Sequence, residues 1–244
     1  MRGNFPKSPL CPTALNVVPI FSHAPIINSQ YREEMPMGLQ RPTKRRRRSS
    51  NHALIYPFMN RHGGIKNYAK AIPTLMSLAT EGDAYAQNVL GYCFDEGRGV
   101  RQNVAEAMRW YRLAAKGGSV EAIGNLALHY EKGAAGKRDQ RRAFQIYTRG
   151  ADLGDPWCQC NLGTAYANGE GTKPDLKAAV AWWRKAARHG DSKAQFNLGC
   201  AYHDGEGVRR NRGIAQLWLR RAAQRAIPGP WPWLTQIGRR YVPV

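Results

Sequence analysis

From about Gly64 to near the C-terminus, apolar residues recur at helical spacing, and the pattern itself recurs every 36 residues. Leu90, Leu126, Leu162 and Leu198 stand in one register without a gap. With each taken as position zero, +4 holds Phe94, Tyr130, Tyr166 and Tyr202, and +7 holds Gly97, Gly133, Gly169 and Gly205. Position +17 holds Ala107, Ala143, Ala179 and Ala215, and +20 holds Trp110, Ile146, Trp182 and Trp218. Positions −4, zero and +4 share one helix face, as do +17, +20, +21, +24 and +25. Each repeat therefore predicts two amphipathic helices, a first and a second.

The polar punctuation agrees. Gly at +7 ends the first helix, because it tolerates the left-handed conformation of a helix exit. Asn103, Asp139, Asp175 and Asn211 at +13 are predicted N-caps of the second helix. Asp83, Ser119, Asp155 and Asp191 are predicted caps of the next first helix, with Pro156 at a first helical position. Small residues at +17, +24 and +25 let helices approach closely, and the large +20 side chain is expected to fill the space between layers. One helix pair cannot bury both faces alone, so the repeats must stack.

Asn67, Ala71, Ala79 and Gly82 extend the register toward the N-terminus, with Pro73 predicting a kinked or irregular helix there. Pro228 and Leu234 extend it toward the C-terminus. The expected fold is all-α, an α-solenoid of two-helix repeats with a 36-residue period wound into a right-handed superhelix. Four segments follow: a basic, Pro-rich N-terminal stretch over 1–62, expected to be disordered; a partial repeat helix over 63–82; four full repeats over 83–226; and a capping helix with tail over 227–244.

These residues resemble the Sel-one-like repeat (SLR) family, relatives of the tetratricopeptide repeats. The carrying segments are AQNVLGYCFDEGRGV with AMRWYRLAAKGG and AQFNLGCAYHDGEGV with AQLWLRRAAQRA. The second repeat departs most: Ala127 and Ala135 stand where the family has Gly, and Gly136 stands where Val100 and Val208 do. The resemblance implies a non-enzymatic scaffold or adaptor that assembles protein complexes. A secreted branch, associated with penicillin binding or β-lactamase activity, pairs cysteines within each repeat. Cys93, Cys158, Cys160 and Cys200 occupy other positions, so a hydrolase of that kind is the least favoured reading.

Composition adds a charge. Lys and Arg number 37 against 17 Asp and Glu, a formal +20 in 244 residues. An odd count of five Cys argues against a disulfide framework and for a reducing, cytoplasmic setting. Pro6, Pro9 and Pro12 break the apolar stretch a signal peptide needs. Lys44, Arg45, Arg46, Arg47 and Arg48 form a short basic run that fits a nuclear-import signal or a nucleic-acid tether.

Candidate chemistry is sparse. His129, His189 and His203 have no nucleophile at motif spacing, and Cys158 and Cys160 point about 200° apart on a helix, a poor chelate. Gly133–Arg138 lacks the spacing of a phosphate loop. No catalytic residue, cofactor or metal is expected. The predicted partner-binding surface is the concave face formed by positions −5, −2 and +2 of the first helices: Tyr85, Asn88, Tyr92, Glu121, Leu128, Trp157, Cys160, Thr164, Lys193, Phe196 and Cys200. Aromatic residues beside small ones suit a groove for a peptide or helix. A basic ridge is expected at the interhelix turns from Arg98, Arg101, Lys137, Arg138, Arg141, Arg142, Lys173, Lys177, Arg209, Arg210 and Arg212, suited to an acidic partner or nucleic acid. The alternative function is thus a nucleic-acid-associated or nuclear-targeted basic repeat protein, for example a bacterial protein delivered to a host cell.

Overall fold

The computed structural model of the chain describes residue 65 and residues 67–134 and 136–225. The N-terminal stretch 1–62, its run Lys44–Arg48 and the capping helix expected over 227–244 lie outside the described residues. Every regular element among the described residues is an α-helix. They are α1 (Tyr68–Thr80), α2 (Ala84–Glu96), α3 (Val104–Lys116), α4 (Val120–Lys132), α5 (Gln140–Asp152), α6 (Pro156–Asn168), α7 (Leu176–Arg188), α8 (Ser192–Asp204) and α9 (Arg212–Arg225). First helices are α2, α4, α6 and α8, and second helices are α1, α3, α5, α7 and α9. The helices fall into two compact units, α1–α4 and α5–α9, divided between Arg138 and Asp139.

The boundaries follow from the predicted caps. Asp83, Ser119, Asp155 and Asp191 each accept from the backbone N–H three residues on, and so do Asn103, Asp139, Asp175 and Asn211. Each bond satisfies one of the N–H groups that a helix start leaves open. The first helices end on left-handed Gly97, Gly133, Gly169 and Gly205. The second helices α1, α3, α5 and α7 close with a Schellman pair; after α3, Gly118 N–H donates to the Ala115 carbonyl and Ser119 N–H to that of Ala114. α1 runs unbroken through Pro73, whose ring is exposed, so the expected irregularity does not interrupt the helix.

Packing corrects one expectation. The residue that fills the core between a first and a second helix stands at +21, not +20. Tyr111, Tyr147, Trp183 and Leu219 are 3% exposed or less, whereas Ile146, Trp182 and Trp218 are only part-buried. Trp110 alone of the +20 set is buried. One residue along a helix is a rotation of about 100°, enough to carry the +20 ring to the rim. There Trp182 lies 3.6 Å beneath the Lys185 ammonium, and Trp218 lies 4.9 Å from the Arg221 guanidinium. Glycine at +1 makes room for the +21 side chain: a Cβ at Gly163 would sit 2.6 Å from the Trp183 ring, and one at Gly91 would sit 2.6 Å from Tyr111.

A second device joins consecutive repeats. Gln87, Gln159 and Gln195 are buried, and their Nε2 atoms donate at 2.9, 3.2 and 3.2 Å to the carbonyls of Ala79, Ala151 and Ala187. Those carbonyls lie in the last turn of the preceding second helix, where the N–H of the glycine beyond the helix end donates, so the glutamine amide is a second donor to each. Ile123 occupies this position in the second repeat.

Candidate functional site

The row at −5 of the first helices (Tyr85, Glu121, Trp157, Lys193) is part-exposed, and so are Leu128, Thr164 and Cys200 at +2. The rest of the predicted face is inside. Asn88, Tyr92, Cys160 and Phe196 are 8% exposed or less. Asn88 and Cys160, at −2, meet the next first helix, so these buried side chains shape the floor of the face and do not line an open groove. In the α1–α4 unit the Asn125 amide donates to Asn88 Oδ1 at 3.2 Å, and the Tyr92 ring packs edge-on against Tyr68 at 6.0 Å. In the α5–α9 unit the Lys193 ammonium donates to Asn161 Oδ1 at 3.2 Å, and Trp157 rests 5.6 Å from Tyr147.

Sequence reasoning missed the position between these rows. Asn125, Asn161 and Asn197 recur at −1. The Nδ2 atoms of Asn161 and Asn197 are buried and meet no acceptor among the described residues. The unmet Oδ1 of Asn168, near the end of α6, adds an acceptor. A buried polar atom without a partner costs about 1–3 kcal/mol, so amides spared their partners in two successive repeats point to a ligand group that supplies them. The recurrence of Asn every 36 residues, each time just before the Leu at position zero, was the available signal.

The remaining titratable groups are structural. His129 Nε2 lies 3.0 Å from Asp95 Oδ2, and its ring packs 5.7 Å from Tyr111. His203 Nδ1 lies 2.7 Å from Asp204, and His189 is the C-cap of α7. Cys93, Cys158 and Cys160 are free and buried. Burial pushes the Cys93 thiol up to about 12 and raises those of Cys158 and Cys160 as well. Cys200 is disulfide-bonded. Burial also raises the Asp191 carboxyl above its usual range, against the Ala194 N–H, the Cys160 thiol and Lys193, which favour its charged form. Among the described residues, no group of three His, Cys, Asp or Glu comes together to hold a metal ion. None of the described helices is long and apolar enough to cross a membrane.

All eleven residues of the predicted ridge are exposed. Arg98 and Arg101 follow α2, and Lys137 and Arg138 follow α4. Arg141, Arg142, Lys173, Lys177, Arg209, Arg210 and Arg212 belong to the α5–α9 unit.

Comparison with known proteins extends this picture. The Sel1 repeat family matches at residues 84–119, 120–155, 158–191 and 192–226, together more than half of the chain. A Sel1 repeat protein from Oxalobacter formigenes is 28% identical with a TM-score of 0.68, over 74% of each chain. A protective antigen present in uropathogenic Escherichia coli strains, displaying an SLR fold, is 31% identical with a TM-score of 0.67 over 72% of this chain. The match spans 38% of the antigen's own length. A putative Sel1 repeat protein from Klebsiella pneumoniae, 21% identical with a TM-score of 0.50 over 68% of this chain and 80% of its own, shares the fold. No curated protein matches the chain.

Proposed function

The chain belongs to the Sel1 repeat family, and from that premise we propose that it is a non-enzymatic scaffold that grips a segment of a partner protein on its first-helix face. The observation that carries this reading is the pair of buried amide nitrogens, Nδ2 of Asn161 and of Asn197, that meet no acceptor among the described residues, flanked by part-exposed Trp157 and by Lys193. An extended peptide offers a row of main-chain carbonyls to such donors, and a side chain to lie against the indole. In the α1–α4 unit, Tyr85, Glu121 and Leu128 occupy the corresponding repeat positions.

The test uses random peptides displayed on phage, selected against the full chain. Selected peptides should bind the Trp157→Ala, Asn161→Leu double variant at least tenfold more weakly, the loss expected from about 1.4 kcal/mol or more. Binding to Leu153→Ala, which alters an exposed side chain away from the face, should be unchanged. Equal binding by the folded double variant and the parent refutes the assignment.

A further inference from the structure

The α5–α9 unit carries a second surface with a different chemistry. Arg141 and Arg142 open α5, Lys173 lies in the turn after α6, and Lys177 lies in the first turn of α7. Arg209 and Arg210 lie in the turn after α8, and Arg212 opens α9. Two glycines show why these cations form one edge. A Cβ at Gly171 would strike the carbonyl of Gln140, and one at Gly207 would strike that of Leu176. The turn bearing Lys173 is therefore seated on the start of α5, and the turn bearing Arg209 and Arg210 on the start of α7.

The cations are in excess. Arg142 reaches Asp139 at 3.8 Å. No described acid pairs with Arg141, Lys173, Lys177, Arg209, Arg210 or Arg212. Asp139 and Asp175 also serve as helix caps, which leaves Glu170 and Glu206 as the acids of the two turns.

The occupant follows from what accompanies the charge. Among the described residues of this unit, the exposed large apolar side chains are Leu153, the C-cap of α5, and Leu217, in the second turn of α9, whereas the cations lie in the interhelix turns and at the helix starts. The core of a protein interface is depleted of charge and enriched in aromatic residues. A membrane-surface helix needs an apolar face, and a single-strand groove adds aromatic platforms for the bases. A duplex needs none of these, because its phosphates are met by Lys and Arg alone. We propose that this edge binds the phosphate backbone of duplex nucleic acid without reading its sequence.

The experiment uses the full chain with Lys44, Arg45, Arg46, Arg47 and Arg48 changed to Ser, so that the N-terminal run contributes nothing. Fluorescence anisotropy follows binding of a mixed-sequence DNA duplex of about 20 base pairs across roughly 50–200 mM salt. Changing Lys173, Lys177, Arg209 and Arg210 to Gln should make the log–log salt slope shallower by about 3 to 4 and weaken binding about a hundredfold or more near 100 mM salt. Changing Lys70, Arg109, Lys116 and Arg188 to Gln alters net charge equally but leaves the edge intact, and should move the slope by less than about 1. Circular dichroism checks folding, and if the edge quartet unfolds, Lys173→Gln and Arg209→Gln should each move the slope by about 1. Three results would overturn the proposal: no duplex binding by the parent near 50 mM salt, equal effects of the two quartets, or binding to phosphatidylserine vesicles with none to the duplex.

Discussion

Two glycines with the same kind of backbone but different surroundings separate conformational strain from steric exclusion. Gly154 has φ +89° and nothing within 4 Å of a Cβ built on it. Gly171 has φ +74°, but there a Cβ would strike the Gln140 carbonyl and lie 2.8 Å from Phe144 Cβ. An L-residue at positive φ costs about 1–2 kcal/mol, and losing the extra freedom of unfolded glycine returns about 0.4–1 kcal/mol. Gly154→Ala should therefore destabilise by about 1 kcal/mol. Gly171→Ala bears the same cost plus about 1–3 kcal/mol of overpacking, because backbone at a helix start cannot swing aside as a long side chain can. Its total is about 2–4 kcal/mol. With an m-value of about 2 kcal/mol per molar urea, the midpoint by circular dichroism should fall by about 1–2 M for Gly171→Ala and about 0.5 M for Gly154→Ala. Equal shifts would refute the claim that the turn is seated against α5, and with it the contiguity of the basic edge.

Two further outcomes test the core. Trp183→Ala should cost about 3–5 kcal/mol, as for a fully buried aromatic, and Trp182→Ala clearly less, because water can occupy the vacated rim; the reverse order in urea titrations would contradict the +21 assignment. Asp191 holds a proton more tightly in the folded state than in the unfolded chain, so stability should fall as pH rises from about 4 through its raised native value. Asp191→Asn retains a side chain able to cap α8 and should flatten that fall in urea midpoints taken across pH; parallel profiles would exclude Asp191 as the source.

The helix boundaries were legible because capping is local: a side chain bonds an N–H three residues on, and no other element is needed. The choice between Trp182 and Trp183 was not legible, since adjacent tryptophans are equally apolar and only the direction of the neighbouring helix decides which is buried. The same holds for the candidate face. The periodicity set Trp157 and Lys193 apart from the core, but Asn88 and Cys160 are covered by the next first helix, whose spacing no single helix encodes. Gln87, Gln159 and Gln195 were overlooked because a polar residue beside a core position reads as surface until the carbonyl it meets is seen.

That row of glutamines has a directional consequence. Each amide reaches back to the helix before it, so the penultimate carbonyl of a second helix, which already accepts from the glycine beyond the helix, gains this second donor only when the following first helix is present. For a nascent chain leaving the ribosome, maturation of the stack must trail synthesis by one helix. A stall after α7 would leave the Ala187 carbonyl with the Gly190 N–H as its donor, and the Gln195 amide would join it once α8 emerged.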